Sequence, residues 1–336
     1  MSIKVWPYII ILLLSLSCSS DQDFKPISFY HWRSNAEYLD SYKKVLTDSH
    51  TKKIYLHYFD IDKIETSELG VDEIYPIYVI QSIEEKFKDY EIIPVVYIAN
   101  RVFLTNELNL EKLSTRIVQL TNQISLNYFD TRSLKIQIDC DWSQSTQALY
   151  FTLLDSLKNH FDIDVTIRLH QIKFQEVTGI PPVDNGTLML YNIGDLKNKQ
   201  QNSIIEDDIV KQYVNLKTNY PISLKLALPI FSQSILTNNQ GEIKIIKNSV
   251  RTELEDDEHF IKINENNFQV VKDTLFKGFY LSEGFNVKLE EVNELEVIKA
   301  YHTIKNSELK IDEIIFYHLD KQSIYSVDLK KIIQEL

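Results

Sequence analysis

Two aspartates with a single residue between them carry the strongest chemical signal of this sequence. They lie in the stretch 134–142, where apolar and polar residues alternate, so that Gln137, Asp139 and Asp141 share one face of a predicted strand. Cα atoms two residues apart on a strand are separated by about 6.6 Å, and two carboxylates at that distance raise the pKa of one of them. We therefore predict that Asp141 is a general acid and that Asp139 is its charge partner.

The stretch 164–171 repeats this pattern and adds a cation and an imidazole. Thr166, Arg168 and His170 fall on one face of a second predicted strand. Arg168 and His170 are then placed to position the aspartates or to tune their pKa values, and we include both in the predicted catalytic set. The alternative is purely structural: Arg168 forms a buried ion pair with Asp139 that braces the protein interior.

Aromatic and hydrogen-bonding residues cluster near the predicted ends of the same strands. Aromatic rings pack against the apolar faces of sugar rings, and polar side chains hydrogen-bond sugar hydroxyls. The predicted substrate-binding residues are Trp32, Arg33, Trp142, Tyr191, Gln171, His318 and Asp320.

Cleavage of a glycosidic bond needs a second carboxylate besides the acid. Asp60, Glu283 and Asp320 are candidates that the sequence does not rank. Histidines near several strand ends leave a metal-dependent hydrolase open, but no H-x-H or H-E-x-x-H spacing occurs, and we assign no metal ligand.

The elements that must position these residues form a repeating pattern. Short runs rich in β-branched and aromatic residues alternate with segments of helical period, which is typical of βα units around a parallel sheet. The strand runs are 27–33, 53–60, 92–100, 134–142, 164–171, 187–193, 222–229 and 313–319. Helices are predicted at 36–47, 79–88, 110–124, 146–159, 206–219, 291–305 and 327–334, and the connection 173–186 lacks a clear one. Eight such units favour an α/β fold of the (β/α)8 type, a TIM barrel, over an open sheet.

The seventh connection is unusually long. Residues 238–290 contain alternating runs such as 242–245 and 260–263, so we predict a β-rich insertion after strand 7. Because it follows a strand and precedes the helix of the same unit, it emerges at the carboxyl ends of the strands, where the active sites of TIM barrels lie. A lid over the substrate and a decorative subdomain both fit this position.

The amino terminus has the layout of an exported lipoprotein. Lys4 precedes an apolar run, residues 5–14, that is too short to span a membrane and suits a signal peptide. The run ends at Leu16-Ser17-Cys18, which resembles the lipobox of bacterial lipoproteins. We therefore expect a lipoprotein signal peptide at 1–17, lipidation of Cys18, a tether at 18–26 and the barrel at 27–336. This predicts a location in the cell envelope, at the outer membrane, with exposure at the cell surface as one arrangement.

Composition and charge argue against two other classes of function. The seven glycines never form a G-x-G pair, which disfavours the dinucleotide-binding fingerprint and the Walker loop, and we expect no cofactor. A net charge of −12 repels nucleic acid and anionic lipid, so the expected contact with a membrane is the lipid anchor alone.

Three motifs resemble an uncharacterised bacterial family of glycosidase-like TIM-barrel lipoproteins. They are Tyr30-His31-Trp32-Arg33, Ile138-Asp139-Cys140-Asp141-Trp142 and Leu226-Ala227-Leu228-Pro229. The second motif is also similar to the D-x-D-x-E strand of chitinase-type family 18 glycoside hydrolases, whose final Glu is the general acid. Ser143 stands at that position here, which leaves Asp141 as the acid of suitable reach.

These observations together predict a lipid-anchored, glycoside-hydrolase-like barrel that acts on or binds a glycan. The first alternative is a non-catalytic glycan-binding or scaffold lipoprotein, which Ser143 favours. The second alternative is the metal-dependent hydrolase. The sugar, its linkage and the oligomeric state are left open.

Overall fold

The computed structural model describes residues 25–65 and 72–336, and its main body is a closed barrel of parallel strands. The strands are β1 Ile27–His31, β2 Lys53–Glu65, β3 Glu91–Ile98, β4 Lys135–Asp139, β5 Asp162–Arg168, β6 Asn185–Met189, β7 Ser223–Pro229 and β8 Ile311–Tyr317. Each strand pairs with its neighbours in chain order, and β1 closes the barrel by pairing with both β8 and β2. The predicted (β/α)8 fold is confirmed, and each predicted strand run overlaps one of these strands.

Alternation along the strands separates the barrel interior from the layer beneath the helices. On β4, Ile136 and Ile138 are fully buried in the main hydrophobic core. Gln137 points into the barrel, where Tyr30 donates a hydrogen bond to its Oε1 (2.7 Å) and its Nε2 donates to Asp164 Oδ2 (2.8 Å). The barrel is therefore filled by a hydrogen-bonded polar core, as the energetic cost of buried polar groups requires.

Helices cover the outside of the barrel. They are Asp40–Asp48, Leu110–Phe129, Gln147–Leu157, Leu169–Lys173, Gln175–Thr178, Asp207–Tyr213, Glu294–Lys305, Lys321–Ser326 and Leu329–Glu335, with 3-10 turns at Glu85–Asp89 and Asn100–Leu104. A further helix, Arg251–Glu255, belongs to the insertion after β7, and its Leu254 joins the hydrophobic core of the insertion.

The second connection differs from the prediction. Instead of a helix at 79–88, a strand at Asp72–Ile77 pairs antiparallel with the end of β2, and a 3-10 turn follows at Glu85–Asp89. β2 continues to Glu65, beyond the barrel rim, so it offers an edge to this strand. Ile74, Tyr75 and Ile77 favour such a strand because β-branched and aromatic side chains suit an extended backbone.

The insertion after β7 is a five-stranded antiparallel sheet with a hydrophobic core of its own. Its strands are Gln233–Thr237, Ile243–Lys247, Phe260–Lys262, Asn267–Val270 and Asn286–Glu290, and a separate hairpin pairs Thr274–Phe276 with Phe279–Leu281. Its first strand starts at Gln233, whereas the prediction placed the start at residue 238. Residues 230–236 follow β7 without a break in burial, so the sequence gives no signal of a boundary there.

A buried polar cluster attaches this sheet to the connection after β6. Glu290 is 2% exposed and accepts hydrogen bonds from Ser203 N (2.9 Å), Ser203 Oγ (2.5 Å) and Gln233 Nε2 (2.9 Å). Lys288 forms an ion pair with Glu290 (2.6 Å) and donates to the carbonyl of Asn198 (2.7 Å). The insertion is therefore held to the barrel top by charged as well as neutral hydrogen bonds.

The predicted signal peptide, Cys18 and most of the predicted tether lie outside the described residues. Within residues 25–65 and 72–336, no helix combines the length and hydropathy needed to cross a membrane. Cys140 is a buried free thiol.

Candidate functional site

The buried end of β4 places Asp139 at the mouth of the barrel. Asp139 is the last residue of the strand and is 7% exposed. Thr166 Oγ1 donates a hydrogen bond to Asp139 Oδ1 (2.7 Å), and no other hydrogen bond to this carboxyl occurs among the described residues. Burial raises the pKa of Asp139 to about 6, and the charge of Asp141 acts in the same direction. Asp139 is thus a carboxyl that keeps a large protonated fraction up to about pH 6.

Asp141 lies beyond the end of β4 and faces solvent. Its side chain is 46% exposed, and Arg168 binds both of its oxygens, through Nε to Oδ1 (2.7 Å) and Nη2 to Oδ2 (3.2 Å). Arg168 also donates to the carbonyl of Tyr191 (3.3 Å). The structural alternative, an ion pair between Arg168 and Asp139, is not what the structure shows, because the guanidinium binds Asp141 instead.

Three other predicted residues occupy positions unlike those expected. β5 ends at Arg168, so His170 lies in the helix Leu169–Lys173, exposed and off the interior face. Gln171 is fully buried, with its side-chain oxygen accepting from Arg168 N (2.7 Å) and its nitrogen donating to the Trp142 carbonyl (3.1 Å).

Trp142 is 1% exposed, donates to the Thr178 carbonyl (2.8 Å) and stacks on Tyr150 (5.4 Å between centroids). Trp142 and Gln171 pack under the helices, so the prediction that they contact substrate was wrong.

Aromatic side chains surround the entrance to the barrel. Half-buried Trp32 lies over His57, with 4.7 Å between ring centroids, and 6.0 Å from Tyr317. Tyr317 stacks on Tyr191 at 4.6 Å. Tyr191 is only 3% exposed, so it supports the ring of Tyr317 instead of offering a free face. Trp32 and Tyr317 are therefore the aromatic surfaces at the mouth.

A row of three polar residues crosses β2, β3 and β4 at one height. Asp60 pairs in register with Tyr97, and Tyr97 pairs in register with Asp139. The charge of Asp60 acts on the pKa of both Tyr97 and Asp139. His57 Nε2 donates to Asp60 Oδ1 (2.6 Å). An irregularity in the pairing of β2 between His57 and Phe59 lets His57 and Asp60 meet, and this irregularity has no sequence signature.

A cleft of about 820 Å³ opens at the rim between the ends of β1 and β8. Arg33 and Asp320 line it and form an ion pair, and Asp320 also caps the helix Lys321–Ser326 through Gln322 N (2.9 Å). His31 lines the cleft too, and its burial lowers the pKa of the imidazole to about 3. Burial likewise lowers the pKa of His318 to about 4. Both imidazoles are neutral at physiological pH.

Glu283, the remaining candidate for the second carboxylate, does not join the mouth. Glu283 is exposed on the insertion, where its backbone N–H binds Asp273 (2.8 Å). Lys225 pairs with Asp164 (3.4 Å) lower in the barrel. In the parts of the chain that are described, no three His, Cys, Asp or Glu side chains come together in a group that could hold a metal ion.

The chain is similar to glycoside hydrolases in its fold. The "C-terminal domain of putative chitinase" from Desulfitobacterium hafniense DCB-2 has a TM-score of 0.50 at 11% identity, over 93% of this chain and 99% of that one. The Bacillus cereus spore cortex-lytic enzyme SleL has a TM-score of 0.46 at 12% identity, over 93% and 74%. A GH113 β-1,4-mannanase has a TM-score of 0.38 at 9% identity, over 92% of each chain.

No family model and no curated protein sequence matches the chain. At identities near 10%, the structural similarity is evidence about architecture alone. The chain is therefore a closed (β/α)8 barrel of the type found in glycoside hydrolases.

Proposed function

We propose that this protein hydrolyses a glycan at the mouth of the barrel and that Asp139 donates the proton to the leaving oxygen. The observation that carries the proposal is the buried carboxyl of Asp139, whose pKa of about 6 leaves a large protonated fraction at slightly acidic pH. A general acid works best when its pKa lies near the operating pH. The roles predicted for the two aspartates are thus exchanged, because Arg168 occupies both oxygens of Asp141.

A glycan suits the surroundings of this acid. Trp32 and Tyr317 offer aromatic faces for sugar rings beside Asp139, and Arg168 and Asp141 offer hydrogen bonds at the edge. The rim cleft, lined by Arg33 and Asp320, has room for further sugar units. The fold shared with the chitinase domain supports the same substrate class.

The proposal is tested with purified protein and soluble chitin and β-1,4-mannan oligosaccharides. We expect release of shorter sugars with a rate that falls as pH rises above about 6, because the acid loses its proton. Asp139→Asn keeps the oxygen that accepts from Thr166 but has no proton to give, so we expect turnover to fall by about 10²- to 10⁴-fold.

The matched control is Asp162→Asn, an exposed aspartate at the opposite, amino-terminal end of β5, which we expect to retain full activity. Full activity of Asp139→Asn would refute the assignment of the acid.

A non-catalytic glycan-binding protein is the second candidate function. The hydroxyl of Ser143 shares hydrogen bonds with those of Ser145 (3.0 Å) and Thr146 (3.2 Å), and Asp141 is paired with Arg168, so neither supplies a free acid. Calorimetric binding of oligosaccharides without release of products, equal in the native protein and in Asp139→Asn, would favour this candidate.

We propose further that the protein is anchored to the cell envelope through a lipid on Cys18. The lipobox-like run before Cys18 supports this, and the buried Cys140 is unsuited to acylation. We expect Cys18→Ala to move the protein from the membrane fraction to the soluble fraction, whereas Cys140→Ala remains with the membrane. Protease treatment of intact cells then tests surface exposure. Membrane retention of Cys18→Ala would contradict the anchor.

A further inference from the structure

The row Asp60–Tyr97–Asp139 holds two carboxylates on opposite sides of one tyrosine. Because each pair is in register, the two aspartates are separated by two strand spacings, which is about 10 Å between Cα atoms. Residues in register on neighbouring strands share one face of the sheet, so both carboxyls lie on the face of Tyr97, which is half-buried between them. The carboxyl groups are therefore close enough to share one substrate but are kept apart by a phenol ring.

This spacing distinguishes two modes of glycoside hydrolysis. Carboxyl groups about 5 to 5.5 Å apart act on opposite faces of the bond with direct attack by one of them, whereas a separation of about 6.5 to 9.5 Å leaves room for a water molecule. A Cα separation of about 10 Å, with Tyr97 on the strand between the two aspartates, favours the second class.

The partners of the two aspartates assign their roles. His57 Nε2 donates to Asp60 Oδ1 at 2.6 Å, which fixes the orientation of the carboxyl and leaves Oδ2 to accept a proton from water. Trp32 lies over the ring of His57 and restrains it. Asp139, by contrast, is buried and has a single hydroxyl donor, Thr166. The environments separate a base from an acid.

We propose that Asp60 is the general base of an inverting hydrolysis in which Asp139 is the acid. The inference rests on the proposed glycan hydrolysis. Asp60 removes a proton from water, and the water oxygen bonds to the anomeric carbon from the face opposite the leaving group. The glycosidic C–O bond breaks as Asp139 gives its proton to the leaving oxygen. Asp60 ends protonated and Asp139 ionised, and exchange with solvent restores both.

The test is the anomeric configuration of the first product, followed by proton NMR during hydrolysis of a β-linked oligosaccharide. We expect the α-anomer to appear first and the β-anomer to appear later through mutarotation. Early β-anomer would overturn the assignment of Asp60 while leaving glycan hydrolysis intact.

Variants of Asp60 add a second readout. We expect Asp60→Asn to lower kcat by at least 100-fold with little change in KM, while Asp162→Asn remains unchanged. Azide supplied to Asp60→Ala is expected to yield a glycosyl azide of inverted configuration. Wild-type kcat in Asp60→Asn would overturn the proposal.

A measurement without turnover separates this inference from the proposed function. In 13C-aspartate NMR titrations, removal of the Asp60 charge in Asp60→Asn lowers the pKa of Asp139 if the two carboxyls face each other. An unchanged pKa would overturn their juxtaposition even if no substrate were hydrolysed. A lowered pKa in a protein without turnover would refute the proposed hydrolysis and keep the paired geometry.

Discussion

At the scale of single residues, the free-energy cost of burying the Asp139 carboxyl can be measured directly. Its pKa in the folded protein is about 6, above the 3.8 of a free aspartate. The folded state therefore holds a proton between these two values that the unfolded state has lost. The contribution of Asp139 to the free energy of unfolding is fully present below pH 3.8, and it is lost as pH rises through 6.

Asp139→Asn should consequently stabilise the protein at neutral and alkaline pH. At about 1.4 kcal/mol per pKa unit, the gain in the free energy of unfolding at pH 8 is roughly 2 to 3 kcal/mol, and it shrinks as pH falls toward 4. Urea denaturation at pH 5 and pH 8 measures it, with Asp162→Asn as the exposed control. A gain that is equal at both pH values would show that burial does not perturb Asp139.

The residue scale also shows where sequence reasoning fails. Alternation along β4 correctly placed Gln137 and Asp139 in the interior, but it was extended two residues too far. Asp141 lies after the last paired residue, and Trp142 turns under the helices, where its indole N–H reaches Thr178. Strand ends depend on tertiary hydrogen bonds that no local pattern records.

At the scale of elements, Glu290 joins the insertion to the barrel. Replacing it by alanine leaves Lys288, 8% exposed, without its counter-ion and frees Ser203 and Gln233 of their acceptor. Loss of one partner of a buried ion pair costs about 3 to 5 kcal/mol. We expect Glu290→Ala to lower the free energy of unfolding by this amount in chemical denaturation.

The neighbouring Glu291 provides the control, because its ion pair with Arg251 (2.6 Å) is partly exposed. Glu291→Ala should cost about 1 kcal/mol or less. Equal losses for the two variants would mean that the Glu290 cluster adds nothing beyond a surface ion pair.

Elements differ in how well the sequence predicts them. Buried barrel strands such as β6 and β7 carry dense apolar runs, so they were found. The strand Asp72–Ile77 was missed because it exists only through pairing with the end of β2. The insertion was recognised from alternation, but its first strand, Gln233–Thr237, lies before the predicted start at residue 238.

At the scale of the whole molecule, the two ends of the barrel have different chemistry. At the amino-terminal end, Lys53 pairs with Glu313 (2.7 Å) and Lys225 with Asp164 (3.4 Å), so its buried charges are neutralised in pairs. At the mouth, no cation among the described residues forms an ion pair with Asp139, and the guanidinium of Arg168 binds Asp141. The charged residues at both ends of the barrel can be read from the sequence. Which carboxylate is left without a cation cannot, since that depends on the register between strands far apart in the chain.

The two tryptophans in the described residues give the molecule a built-in optical probe. Trp142 is sealed among Tyr150 and Phe151, whereas Trp32 is half-buried at the mouth above His57. The wavelength of indole emission depends on the polarity around the ring. Buried Trp142 therefore emits at a constant shorter wavelength, whereas Trp32 at the mouth emits at a longer wavelength that varies with its surroundings. A ligand that displaces water from Trp32 changes the second component alone, and fluorescence can then follow occupancy of the site in unlabelled protein.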